Sequence, residues 1–172
     1  GKNGEMDELY RVGKDGSLGW FYGVVTQALG WWVGNGEGKT MGLSSYGDAS
    51  DQLIDELREL CPIYRDGKLA DPSPIDYAGV WKSKDTYHFD FEEAAVVEGL
   101  LAEYDREDVA DAAQQLLEEQ LLDLVGHWLK ETGIKNLAVA GGVFLNVAVN
   151  RELLNNFDIE DFHAFPAAGD DG

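Results

Sequence analysis

A pair of glycines separates an apolar run from a helical pattern near the end of the sequence. Residues 137–140 favour a short strand, Gly141 and Gly142 follow it, and residues 143–150 have the spacing of a helix. Because glycine has no Cβ, a ligand can approach this backbone closely, and a helix start offers free N–H groups and a positive dipole end. Asn146, in the first predicted turn, can donate to and accept from a sugar or a base edge. The pattern suits a nucleotide-binding corner and equally suits glycines that only let a helix pack tightly on a strand.

Glycines also crowd residues 34–47, where five of them occupy fourteen positions around Gly38 and Lys39. This density predicts a loop whose backbone takes unusual dihedral angles or approaches another group closely. A lysine on such a loop can hold a phosphate oxygen while the N–H groups of the loop supply further donors. In a chain of net charge −20, an anionic substrate would need this local relief. The alternative is a surface loop with a solvated lysine.

Two adjacent carboxylates, Asp170 and Asp171, lie on a glycine-flanked loop after a predicted strand at 162–165. Such a pair suits a divalent metal, or a water held next to one, although adjacent aspartates also occur by chance in an acidic chain. None of the three histidines is spaced from another like a ligand pair, so the sequence predicts no complete transition-metal site.

The composition excludes several classes of function. The chain has 172 residues, of which 44% are hydrophobic, so it can form a folded core. There are 33 acidic against 13 basic residues and no basic run, which argues against nucleic-acid binding. No apolar run approaches the roughly 20 residues of a membrane span, and nothing resembles a signal peptide. We therefore expect no membrane contact and a cytoplasmic location.

The excess of acidic residues along the whole chain is typical of proteins that live in very high salt. Salt screens the repulsion among like charges, with a Debye length of about 3 Å at 1 M against about 30 Å at 0.01 M. We therefore expect a halophilic protein that loses structure when the salt is removed. An ordinary acidic cytosolic protein is the alternative.

Local signals predict the elements that would position these residues. Ser17 and Ser50 suit N-caps, Asp66-Gly67 suits a two-residue hairpin turn, and Gly133 suits the end of a long helix. The predicted helices cover residues 17–29, 92–104, 108–132 and about 144–154, with one more from Ser50, and the predicted strands lie within 63–70 and at 86–91, 137–140 and 162–165.

Four segments, taken together and in order, resemble the O-carbamoyltransferases of the nodulation and antibiotic-tailoring type. The segments are SLGWFYGVVTQALG, GEGKTMGLSSYG, LAVAGGVFLNVAVNRELL and FPAAGDDG, and they span Ser17 to Gly172. One departure is Ser44-Ser45, where alanine and proline are commoner in that family. The resemblance implies an α/β (mixed α+β) fold, namely the ribonuclease-H-like lobe of the actin and sugar-kinase ATPase superfamily with inserted helices. It also implies that residues 1–172 are part of an ATP-binding lobe from a longer enzyme.

The resemblance also implies a role for each candidate residue at the nucleotide. In that superfamily the strand followed by two glycines contacts adenosine, and Asn146 would bond to the nucleoside. The glycine-rich segment would lie near the phosphates or close over them. The residues implied at ATP are therefore Gly38, Lys39, Gly141, Gly142, Val143 and Asn146.

A metal site is implied as well. Asp170 matches an aspartate that binds an active-site divalent metal, Fe or Mg, in the family. Its histidine partners belong to an amino-terminal part of the family that this sequence lacks. A downstream domain that makes carbamoyl-adenylate is likewise absent, so these missing domains of the same chain are expected partners.

The implied activity is O-carbamoyl transfer in two halves. Carbamoyl phosphate and ATP give carbamoyl-adenylate, and a hydroxyl of a small molecule or sugar then attacks the carbamoyl carbon while AMP leaves. We expect no turnover from these 172 residues alone. The alternatives are another enzyme of the superfamily, such as a tRNA threonylcarbamoylation protein, a hydrogenase-maturation carbamoyltransferase or a sugar kinase, and a non-catalytic nucleotide-sensing module.

Overall fold

Helices and short two-stranded sheets make up the chain, which a computed structural model describes over residues 5–75, 79–83 and 86–165. The α/β class expected from the sequence is confirmed at this level. The helices are α1 (Leu18–Ala28), α2 (Glu37–Ser44), α3 (Asp51–Arg58), α4 (Ala94–Leu100), α5 (Arg106–Thr132) and α6 (Val147–Asn156). The strands are β1 (Ile63–Arg65), β2 (Lys68–Asp71), β3 (Gly79–Ser83), β4 (Thr86–Asp90), β5 (Asn136–Val139) and β6 (Asp161–Ala164).

The long helix α5 is the centre of the packing, and it contacts α1, α2, α3, α6 and β1. Its spacing predicts an inward stripe, and the structure buries the part of that stripe in the first half of the helix. Farther along, Leu124 and Trp128 are only partly buried. Gly133 ends the helix in the left-handed conformation, with its N–H donating to the carbonyl of Leu129. The buried members of the stripe are Val109, Ala113, Leu116, Leu117 and Leu121.

The predicted caps and hairpin are confirmed. The Ser17 hydroxyl accepts from the N–H of Trp20 at the start of α1, and the Ser50 hydroxyl caps α3 in the same way. Asp66 and Gly67 both have positive φ, 52° and 69°, between the antiparallel strands β1 and β2. This is the turn that a right-twisted two-residue hairpin requires.

The prediction of a loop over residues 34–47 is wrong, because residues 37–44 form α2. Each glycine inside a helix costs about 1 kcal/mol relative to alanine, so the local sequence disfavours this helix. Packing outweighs the cost: Thr40 is buried, its hydroxyl lies 2.9 Å from that of Thr26, and α2 contacts both α1 and α5. A Cβ on Gly38 or Gly42 would meet nothing within 4 Å, so both glycines lie on the open side of the helix.

The carboxyl-terminal strands flank a helix and pair in parallel, with Leu137 opposite Phe162 and Val139 opposite Ala164. The helix predicted at about 144–154 begins later, at 147, because a 3₁₀ turn occupies residues 142–145 and the extended backbone of Asn146 separates the two. One further strand, β3, escapes the sequence prediction; it pairs antiparallel with the predicted strand β4. None of the helices that the structure describes has both the length and the apolar character needed to cross a bilayer.

Candidate binding cleft

Three helix starts converge on one cleft with a volume of about 610 Å³. The segments are the start of α1, the glycine-rich approach to α2, and the 3₁₀ turn that precedes α6. Most of the remaining wall is apolar, and it includes Met41 and Leu117. The residues that line the cleft are Ser17, Leu18, Gly19, Tyr22, Gly34, Asn35, Glu37, Gly38, Met41, Leu117, Gly142, Val143, Leu145 and Asn146.

The convergence brings main-chain donors to the cleft, although Ser17 and Asn146 cap N–H groups at two of the three helix starts and the Glu37 carboxylate lies at the third. The N–H groups in the first turn of a helix have no acceptor within that helix, and the dipole places partial positive charge at the same end. Among the described residues that line the cleft there is no lysine or arginine, and Glu37 is the one carboxylate. An anionic group in this cleft would therefore be held by backbone N–H groups rather than by basic side chains.

Glu37 is a cleft residue that the sequence analysis missed. Its Oε1 accepts from the N–H of Gly34 at 2.6 Å, which fixes the carboxylate at the start of α2. Gly34 has φ of +90°, so the chain makes this turn at a position that favours glycine. A carboxylate in the first turn of a helix is a recognisable signal, but it is lost when residues 34–47 are taken for a loop.

The glycine corner, which we define as residues 141–146, forms a further part of the wall. Gly141 has φ of +104° and ψ of 153°, a conformation that is essentially restricted to glycine. A Cβ on Gly141 or Gly142 would meet nothing within 4 Å, so the backbone is bare on this side. Gly142 and Val143 line the cleft, whereas Gly141, also a predicted site residue, does not. Tight packing against a helix is therefore not what these two glycines provide.

Asn146 ends the corner and caps α6. Its Oδ1 accepts from the N–H groups of Ala148 and Val149 at 3.1 and 3.2 Å, which is the N-cap arrangement. Its Nδ2 donates to Oε1 of Gln114 on α5 at 2.8 Å. The side chain is only 8% exposed, although it lines the cleft. The sequence places Asn146 in the first turn of the helix, and the structure places it one residue before that turn.

A buried polar network lies beneath the cleft. The Tyr22 hydroxyl donates to Oε1 of Gln114 at 2.8 Å, and Nε2 of Gln114 donates to Oε1 of Glu118 at 2.7 Å. Burial, together with the nearby charge of Glu118, raises the pKa of the Tyr22 phenol, so this group stays protonated at neutral pH. Burial also raises the pKa of the Glu118 carboxyl, and the bond from Gln114 opposes that shift.

Two of the predicted site residues lie elsewhere or outside the described ranges. Gly38 lines the cleft, but Lys39 is exposed on α2 and does not line it. Asp170 lies outside the described residues, as does Asp171. Among the residues that the structure does describe, no three His, Cys, Asp or Glu side chains are grouped so that they could hold a metal ion. The metal at Asp170 therefore stays a prediction.

Comparison with known proteins decides the family. The sequence model of the carbamoyltransferase N-terminus matches residues 4–172. The chain belongs to this family. In the described structure of this carbamoyltransferase N-terminus, the glycine corner and α2 both line the cleft.

Three relatives of this carbamoyltransferase N-terminus are much longer than the chain. The nodulation protein NolNO of Sinorhizobium fredii is 28% identical over the whole chain, which covers 24% of that protein. The nodulation protein NolO of Bradyrhizobium diazoefficiens is 29% identical, with 96% of the chain and 28% of that protein covered. The uncharacterized protein MJ1058 of Methanocaldococcus jannaschii is 27% identical, with 96% and 26% covered. The chain thus spans about a quarter of the length of these relatives.

Proposed function

We propose that the chain is the nucleotide-binding part of an ATP-dependent O-carbamoyltransferase, and that the cleft holds ATP or carbamoyl-adenylate. The observation that carries the proposal is the convergence of three helix starts on one cleft beside a bare glycine corner. Membership of the carbamoyltransferase N-terminus family supports the type of reaction. The acceptor in this proposal is a hydroxylated small molecule or sugar.

The cleft suggests how the nucleotide lies. The nucleoside would rest on the bare backbone of Gly142 and on Val143, where no side chain stands in the way. The phosphates would meet first-turn N–H groups at the start of α2, including that of Gly38. Lys39, on the exposed side of the same helix, is the candidate for an outer phosphate oxygen. Glu37 would repel phosphate and would favour hydroxyl groups that donate to its free oxygen.

The reaction assigned to the cleft is the second half of the sequence. An acceptor hydroxyl attacks the carbamoyl carbon of carbamoyl-adenylate, the bond from that carbon to the phosphate oxygen breaks, and AMP leaves. Main-chain donors at the start of α2, such as the N–H of Gly38, would stabilise the negative charge that develops, since Ser17 and Asn146 cap N–H groups at the other two helix starts. A divalent ion, Fe or Mg, at Asp170 is part of the proposal for the longer protein.

We also propose that β5 and β6 belong to a larger sheet, as in the ribonuclease-H-like lobe. All-parallel sheets are normally covered on both faces, and their strands are then apolar at successive positions. Residues 137–140 are all apolar, yet Ala138 and Ala140 are exposed. The remaining domains of the longer protein would supply strands that extend the sheet. They would also cover this face.

The proposal is tested on the full-length protein in molar KCl. Supplied with carbamoyl phosphate, ATP, Mg²⁺ and a panel of hydroxylated acceptors, it should release AMP and form a carbamoylated acceptor. Release of ADP with a phosphorylated acceptor would indicate a sugar kinase instead. Binding of ATP without any turnover would favour the nucleotide-sensing module.

Two matched variants test the location of the nucleotide. Gly38→Leu fills the cleft, whereas Gly99→Leu places the same side chain on α4, at an exposed glycine outside the cleft lining whose Cβ would meet nothing within 4 Å. Leucine is a better helix former than glycine by up to about 1 kcal/mol, so both variants should fold. We expect the first to weaken ATP binding at least about tenfold, equivalent to ~1.4 kcal/mol, and the second to leave it unchanged. Equal affinities in both variants would place the nucleotide elsewhere.

A further inference from the structure

Gln114 joins three helices beneath the cleft, although its side chain lies outside the lining. It is on α5 and only 5% exposed, and it bonds to Tyr22 of α1 and to Asn146 at the start of α6. Its Oε1 accepts from both partners at 2.8 Å. Its Nε2 donates to Glu118 at 2.7 Å and, at 3.3 Å, to Oδ1 of Asn146. Both the oxygen and the nitrogen of the Gln114 amide are therefore hydrogen-bonded.

These bonds restrain Asn146 in one orientation. The cap of α6 requires the oxygen of the Asn146 amide to face the N–H groups of residues 148 and 149, because the amide nitrogen would oppose two donors. With its oxygen so placed, the nitrogen of Asn146 faces the oxygen of Gln114. The bond from Gln114 to Glu118 holds the Gln114 oxygen on the side where Asn146 and Tyr22 donate to it.

We infer that Gln114 is a positioning residue for the nucleotide: by holding Asn146 it fixes the glycine corner against α1, so that the backbone of residues 142–146 is preorganised for the ligand. The inference rests on the proposed function, because it concerns the same cleft. Its physical basis is that a bound nucleotide then pays no ordering cost for the corner. Loss of Gln114 would leave two buried donors, on Tyr22 and Asn146, without their acceptor.

The chain contains a matched control for this role. Gln120 lies on the same helix and is only 1% exposed, but its Oε1 accepts from the N–H of Tyr64 in strand β1, at 2.7 Å. Gln114→Leu and Gln120→Leu therefore remove the same side chain from the same helix, and they leave two buried donors and one buried donor unpaired, respectively. Both variants should lose stability, and only the first should disturb the glycine corner.

The experiment measures hydrogen exchange and ATP affinity in the full-length protein, in molar KCl, for the wild type and both variants. We expect Gln114→Leu to raise exchange at residues 142–149 at least tenfold above Gln120→Leu, and to weaken ATP binding about tenfold while Gln120→Leu leaves it unchanged. Unchanged exchange at the corner in Gln114→Leu would overturn the inference, as would faster exchange with ATP affinity intact. If wild-type protein bound no ATP while exchange at the corner still responded to Gln114→Leu alone, positioning would stand and the proposed function would fail.

Discussion

Two regions of the molecule bury their apolar residues to very different extents. The helical body, consisting of α1, α2, α3 and α5, has side chains such as Leu116 with no exposed surface. The strand unit, consisting of β5, α6 and β6, buries Val149 and Leu153 but leaves Val147 65% and Leu154 46% exposed. The described chain thus covers the apolar side chains of the body, whereas it leaves some of those in the strand unit exposed.

The helical body is closed to solvent at its core, whereas the strand unit is open to solvent on one side. One face of the strand unit packs on the body through partly buried residues such as Leu137 and Phe157, while its opposite face meets solvent. The cleft lies at the boundary, because α1, α2 and the glycine corner all line it. A binding site between a well-buried body and an incompletely covered unit depends on bonds that cross the boundary, such as those of Gln114.

Removal of salt should have the largest effect on the helical body. The chain as a whole has a net charge of −20, and local ion pairs such as Arg58 with Glu119 neutralise only a small part of it. In 10 mM KCl the Debye length grows to about 30 Å, so repulsion acts across the whole body despite its buried core. We expect the helical signal in circular dichroism to fall mostly away between molar and millimolar KCl. A helical signal that is unchanged in low salt would mean that burial alone holds the body and that the protein is not halophilic.

The same substitution, leucine to alanine, should change the unfolding free energy very differently in the two regions. Leu116→Ala in the body should cost about 2–5 kcal/mol of unfolding free energy, because it leaves a cavity in a closed core. Leu154→Ala in the strand unit should cost below about 0.5 kcal/mol in the described chain, because nearly half of that side chain is already in solvent. Denaturant unfolding in molar KCl measures both.

The cost of Leu154→Ala in the full-length protein shows whether the longer protein covers this surface. If the longer protein covers the strand unit, the cost of Leu154→Ala should rise there, while that of Leu116→Ala should stay the same. Equal costs for Leu154→Ala in both forms would indicate that this part of α6 is a true surface.

Features set by nearby residues could be predicted from the sequence. The Ser17 and Ser50 caps, the Asp66-Gly67 turn and the left-handed Gly133 all depend on the backbone chemistry of a few neighbouring residues. Their signals are therefore complete within a short window. The same holds for the glycine corner, whose bare backbone follows from the two glycines themselves.

Features set by distant packing could not be predicted. α2 forms although its glycines oppose a helix, because Thr40 is buried against Thr26 and α5 lies alongside. Gln114 meets partners 92 and 32 residues away in the sequence, so nothing near it in the chain indicates a polar network. The position of Lys39 away from the cleft and of Glu37 within it follows from the helix, so both depend on the same tertiary contacts.

The smallest of the three effects tests the boundary at the glycine corner. Gly141→Ala forces a Cβ into a conformation with φ of +104°, which should cost about 1–3 kcal/mol even though the space around it is open. Gly142→Ala is the control, since the Cβ would again meet nothing within 4 Å and φ at this residue lies outside the range that favours glycine. We expect the control to change stability by less than about 1 kcal/mol.

The two alanines should also separate strain from contact with the ligand. Gly141 does not line the cleft and Gly142 does, so the second substitution adds a methyl group where the nucleoside would rest. Strain relieved by movement of the corner should weaken ATP binding in Gly141→Ala together with stability. In Gly142→Ala affinity should fall while stability holds, as measured by ATP titration and denaturant unfolding of the same samples. Full affinity in Gly142→Ala would show that the nucleoside does not lie on this backbone, and the cleft would then need another ligand.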